Sequence, residues 1–203
     1  MKFRIVLWIV LVVLAAYGLF AAESLLLQCS LAEKTVRLHV VANSDSAEDQ
    51  TQKLRVRDAV VAEVAALTKD CRDASQARAV IGQNLSGIEE TAQRVLDDES
   101  SAYDVCVSLG MEDFDTRCYE SFTLPAGRYP ALRVRIGAAE GKNWWCVVFP
   151  SLCLAATTDA VEEYAAVGGF DEMETEFITG GEEKYELRFK TLEWLQDLFA
   201  WIG

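Results

Sequence analysis

Three observations predict an α+β fold in which a largely antiparallel sheet is covered by helices, behind an N-terminal membrane segment. An uncharged apolar run from Ile5 to Ala22 follows Lys2 and Arg4. An alternating, β-prone stretch from Val36 to Ala42 leads through a polar turn into charged helical repeats. Four more β-prone stretches crowd between Tyr103 and Phe149 on short Gly- and Pro-containing connections, the pattern of antiparallel neighbours. The expected order is strand, helix, helix, four strands, helix, with the helices packed on one face. Residues 36–203 form one domain and residues 1–30 a signal peptide or anchor.

The apolar run is about long enough to cross a bilayer, and its basic flank should stay in the cytoplasm, so the remainder is expected outside. Ala16-Tyr17-Gly18 and Ala22-Glu23-Ser24 are the nearest small-x-small cleavage sites. Leu26-Leu27-Gln28-Cys29 resembles a lipoprotein box, with Gln28 where a small residue belongs. An uncleaved anchor and a cleaved signal both fit.

In the first strand, Val36, Leu38 and Val40 share one face, and Arg37, His39 and Val41 the other. Asn43-Ser44-Asp45-Ser46 is turn chemistry, and Ser46 with Asp49 has the spacing of a capping box. The helix that follows should reach about Leu67, burying Leu54, Val60, Val61, Val64 and Leu67 and turning Lys53, Arg55 and Asp58 to solvent. Helical spacing of Ala74, Ala77, Ile81, Leu85, Ile88, Ala92 and Val95 predicts a second helix over 73–96. Strands are expected at 103–109, 118–124, 131–136 and 144–149, with Arg133 and Arg135 facing outward. Residues 154–182 hold seven acids before Glu182 and no base, and read as a loop or broken-helix excursion. A last helix is expected from Glu182 to Trp201, where Glu183, Glu186, Lys190, Glu193 and Asp197 oppose an apolar stripe.

A net charge of -13 and a pI near 4.5 argue against nucleic acid as a partner. His39 is the only histidine, so imidazole chemistry rests on it; a secreted hydrolase would use it as a base oriented by Asp45 or Asp49. No Gly-x-Ser-x-Gly elbow accompanies it. The cysteines, at 29, 71, 106, 118, 146 and 153, include no Cys-x-x-Cys pair, so neither metal nor other cofactor is expected. In an exported domain two disulfides are open: Cys146 with Cys153 across a proline-ended strand, and Cys106 with Cys118 on neighbouring strands. Arg128, Arg133, Arg135 and Lys142 make a local basic patch on an acidic protein, which suits an acidic partner.

Three blocks carry a resemblance. The first is Arg37 to Asp58, with its His-Val-Val-Ala-Asn-Ser-Asp-Ser core. The second comprises Phe122-Thr123-Leu124-Pro125-Ala126-Gly127 and Gly141-Lys142-Asn143-Trp144-Trp145-Cys146 through Cys153. The third is Arg188-Phe189-Lys190 with Glu193-Trp194. In this order they resemble the stage II sporulation protein R family of endospore-forming bacteria.

The resemblance implies signalling rather than catalysis, with no small-molecule substrate. Proteins of this family are made in the forespore and exported into the space between the two sporulation membranes. There they trigger a membrane-embedded aspartyl protease of the mother cell, which processes the precursor of an early mother-cell sigma factor. The motif residues without an evident structural duty are then the expected partner contacts: Arg37, His39, Asn43, Asp45, Arg57 and Lys142, with Trp144 and Trp145 as aromatic anchors.

Overall fold

Strand β1 (Val36–Val41) lies inside a four-stranded sheet. In the computed structural model, which describes residues 2–155 and 157–180, β1 pairs in parallel with β5 (Gly127–Ile136) and antiparallel with β6 (Asn143–Phe149). Strand β2 (Val105–Phe114) runs antiparallel along the far side of β5, giving the order β2-β5-β1-β6. Two of the three pairings are antiparallel, as expected. The parallel one arises because the chain leaves β1 and crosses one face through α2 (Ala47–Thr68), α3 (Ala74–Gln83) and α4 (Leu85–Asp98). It then enters β2 and returns into the gap between β2 and β1. The helix expected from Glu182 to Trp201 lies outside the described residues.

The helices bury Val56, Val60, Val64, Ala77, Ile81, Ile88, Ala92 and Leu96 against Val36, Leu38, Val40, Leu132, Val134 and Ile136. The apolar stripe of α2 is rotated from the expected one. Leu54 stays 36% exposed, while Lys53 is buried beneath the β5–β6 turn. The single helix expected over 73–96 is divided at Asn84 (φ −114°, ψ 16°), whose side chain donates to Val80 O at 2.7 Å. That bond replaces a helical one, as short polar side chains do.

β2 continues to Phe114, past the end expected at Leu109 and into the turn expected before residue 118, since every residue of β2 finds a partner on β5. The strand expected over 118–124 is instead a small hairpin, β3 (Arg117–Cys118) and β4 (Thr123–Leu124), whose turn stacks Tyr119 on Phe122 at 4.4 Å.

The other face of the sheet is covered too, which corrects the expectation of helices on one face alone. Helix α1 (Lys2–Glu33), the β3–β4 hairpin, α5 (Thr158–Val167) and α6 (Glu172–Thr179) close over it. The acidic excursion thus folds as two short helices, started by Thr157 and by an Asp171/Glu174 capping box. Leu27 and Leu31 of α1 are buried among Phe122, Leu124, Val147, Leu152, Val161, Ala165, Phe177 and Ile178.

Polar ties fix the same end of α1. Gln28 donates to Ala126 O, and the buried Glu174 carboxylate accepts from the Ser30 hydroxyl and from Lys34 Nζ at 2.7 Å. Further up α1, Ile5, Leu7, Trp8, Leu11, Val12 and Leu19 are exposed. The helix is long and apolar enough to cross a membrane and fits a signal or anchor segment. Cleavage before Cys29 would strip Leu27 and Gln28 from the packed domain; cleavage higher in the helix would not.

Cys146 and Cys153 are joined, because the chain turns at Pro150 and a short helical turn, Leu152–Leu154, brings the two Cα atoms to 5.9 Å. The competing pair, Cys106 and Cys118, is unlinked and exposed.

Because the last turns of α1 belong to the core, Leu31→Ala is expected to destabilise the detergent-solubilised chain by about 2–5 kcal/mol in chemical denaturation. A change below about 0.5 kcal/mol would mean that α1 does not pack as described.

Candidate functional site

The alternation of β1 sends Arg37 and His39 to the sheet face opposite α2–α4, and both are buried there. His39 lies flat on Trp145, the β6 residue across from it, with ring centroids 3.7 Å apart. Its Nδ1 is 2.8 Å from Glu112 Oε1 and its Nε2 is 2.8 Å from Asn143 Oδ1. Glu112 also accepts from Arg133, the β5 neighbour of His39. Neither Asp45 nor Asp49 is the acidic partner of the histidine. Glu112 is, and it reaches His39 only because β2 runs past the expected turn.

Arg37 is enclosed more completely. Its guanidinium stacks over Phe114 at 4.2 Å and lies 4.9 Å from the Tyr129 ring centre. Its Nε donates to Cys146 O at 3.3 Å and one terminal nitrogen to the Tyr119 hydroxyl at 2.9 Å. Burial pushes the Tyr119 phenol up, against the opposing pull of Arg37 and Arg117.

The turn after β1 is a latch on the β5–β6 turn. Asn43 Oδ1 accepts from Ala138 N at 2.9 Å, Asp45 Oδ1 from Lys142 N at 2.7 Å, and Ala42 O from Gly141 N at 2.9 Å. Close approach requires the glycines. A Cβ on Gly137, which has φ +55°, would lie 2.4 Å from Asn43 Oδ1, and one on Gly141 would lie 2.2 Å from Ser44 O.

Ser46 caps α2 by accepting from Asp49 N at 3.1 Å. The reciprocal half of the capping box does not form, since the Asp49 carboxylate instead accepts from the Asn43 amide at 2.9 Å and from the Ser44 hydroxyl. Those two bonds, Ser44 first, hold its carboxyl below the usual Asp range. Lys53 donates to Gln50 Oε1 and to Lys142 O. Burial pushes its ammonium down, offset in part by Asp45.

Five of the expected contact residues therefore have structural duties: Arg37, His39, Asn43, the half-buried Trp145, and Asp45, which bonds the latch although its own side chain is exposed. The others lie at the surface near the latch. The Arg57 guanidinium sits 4.3 Å from the centre of the Trp144 ring, itself 38% exposed, with exposed Lys142 two residues before Trp144 and exposed Asp45 bonded to the Lys142 backbone. Trp144 and Trp145, adjacent in β6, point to opposite faces of the sheet. Arg133 and Arg135 face outward as expected, Arg135 exposed and Arg133 bound to Glu112. Glu112, Asn143, Tyr119 and Phe114 had no local signal, because each acquires its role from a strand or hairpin distant in sequence. Among the described residues no group of His, Cys, Asp and Glu is arranged to hold a metal ion.

The sequence model of the stage II sporulation protein R family matches residues 32–159, which span β1 through the first residues of α5. The chain belongs to that family. It is 33% identical over 185 residues to stage II sporulation protein R of Bacillus subtilis (strain 168), covering 83% of this chain and 83% of the relative. No solved structure matches. The family match takes in both halves of the latch, the Arg37 and His39 pockets and the Trp144 platform, and stops short of α6.

The depressed Asp49 carboxyl stabilises the fold above the unfolded Asp value near ~3.9, and that contribution is lost as pH falls through the lower folded value. Asp49→Asn is therefore expected to be less stable than wild type at pH 7, with the gap closing below about pH 4. Urea titrations across pH check this; a gap that stayed constant down to pH 3 would contradict it.

Proposed function

We propose that the chain is an exported signalling ligand of sporulation. Its folded domain binds a membrane-embedded aspartyl protease of the mother cell and shifts it toward an active, dimeric state, so that the precursor of an early mother-cell sigma factor is processed. A ligand does this only by binding the active state more tightly than the inactive one.

The carrying observation is the surface cluster beside the latch. Arg57 stacked on a partly exposed Trp144, flanked by Lys142 and Asp45, is a rigid aromatic and cationic platform of the kind that dominates interface energies. Family membership gives the platform its biological setting. An apolar α1, as an anchor or as the remnant of a signal segment, supports a position on the outer side of the membrane, and its packed end holds the domain in a fixed relation to the helix axis. Arg37, His39, Asn43 and Trp145 act in this reading by holding β6 and the latch in place.

The alternative, a hydrolase with His39 as base, needs an imidazole nitrogen open to substrate. Both ring nitrogens are engaged, by Glu112 and by Asn143.

Co-expression of the chain with the candidate protease and the sigma-factor precursor in a non-sporulating host is expected to give cleavage that depends on the chain. Trp144→Ala should weaken protease binding by about 2 kcal/mol, roughly 30-fold, while leaving export and folding intact. Cleavage without the chain, or full binding by a Trp144→Ala, Lys142→Ala double variant, would refute the reading.

A further inference from the structure

Arg37 is fully buried, yet no carboxylate lies within ion-pair distance of it among the described residues. Two of its nitrogens are satisfied by Cys146 O and the Tyr119 hydroxyl; the third, Nη1, is buried without a hydrogen-bond partner. A second guanidinium repeats the pattern, since Arg117 Nε is also buried and unpartnered. Arg117 lies over the Trp145 ring at 5.3 Å. Phe114, which stacks on Arg37, meets the Trp145 ring at 4.9 Å, so the two unsatisfied guanidinium groups share one neighbourhood, walled by Phe114, Tyr129 and Trp145.

A guanidinium removed from water without a counter-charge is among the more costly things a fold can contain, and the aromatic faces compensate it only in part. We propose that Arg37 and Arg117 form a binding site for a single carboxylate group. The charge points to a monoanion. Arg117 already has Asp115 at 3.7 Å, so the pair lacks one negative charge rather than two. The donors suit a planar, two-oxygen acceptor: Arg37 Nη1 and Arg117 Nε both lack a partner, and guanidinium N–H groups are the partners a carboxylate takes best. A tetrahedral dianion would bring excess charge and further oxygens against ring faces that carry no donors. The site lies on the sheet face opposite Trp144, so it is separate from the platform proposed above and does not depend on it. Its carboxylate comes either from a free small acid or from an Asp or Glu side chain of a docked polypeptide.

The test is the thermal unfolding midpoint of the full chain in detergent, in sodium acetate against sodium chloride at equal ionic strength. Parallel arms use sodium phosphate and a blocked tripeptide, N-acetyl-Gly-Glu-Gly-amide. The expected result is a saturable rise of about 3 °C in acetate, absent in Arg37→Met and reduced in Arg117→Gln. A rise with the peptide at lower concentration than acetate assigns the site to a polypeptide side chain, and a rise with acetate alone to a small acid; both uphold a carboxylate site. Should Arg37→Met not fold, the half-buried Arg117 still carries the comparison. Equal midpoints in acetate and chloride, the same acetate rise in Arg117→Gln as in wild type, or a rise in phosphate with none in acetate would each overturn the proposal.

Discussion

Strand β1 is buried on both faces and carries Arg37 and His39, two side chains that are costly to bury alone. Much of the molecule follows from meeting that demand. Glu112 must reach His39, so β2 runs on through a stretch whose local chemistry is that of a turn. Asn143 and Trp145 must meet the same ring from the other side, which sets the register of β6. Tyr119 and Phe114 must close over Arg37, and the β3–β4 hairpin and the end of β2 put them there. A single strand thereby fixes the positions of segments up to 109 residues away in the chain.

The end of β1 extends the same logic. The turn 43–49 is held in place by the turn 137–142 through Asn43, Asp45 and Ala42, with Gly137 and Gly141 as the positions where any side chain would collide. Two blocks distant in the chain are thus halves of one device. Its outer rim presents Lys142, Trp144 and Arg57, whose side chains can be offered to a partner because the latch beneath them is already satisfied. At the other side of the sheet, Glu174 binds the end of α1 to α6, so the apolar helix and the domain share a core.

The sequence made the elements legible wherever periodicity and caps agreed. The boundaries of β1, the Ser46 cap, the apolar stripe of Val60, Val61 and Val64, and the inward set Leu132, Val134 and Ile136 could all be read locally. The family was legible from three short blocks. What escaped was non-local. Lys53 looked like a solvent-facing lysine because nothing nearby reveals that Lys142 O will accept from it. Asn84 divides a helix whose apolar spacing runs through the break, since a side-chain bond to Val80 O costs little there. Polar residues of β1 looked functional for the same reason: Glu112 and Asn143, which explain His39, lie on other strands.

The central claim is that the buried motif residues build the fold while the exposed ones are available for signalling. Comparing the urea unfolding free energies of His39→Ala and Lys142→Ala tests it most directly. The account predicts a loss of roughly 2–4 kcal/mol for His39→Ala, which leaves Glu112 and Asn143 without their buried partner, and a change within about 0.5 kcal/mol for Lys142→Ala. Equal losses in the two variants, or none in His39→Ala, would contradict it.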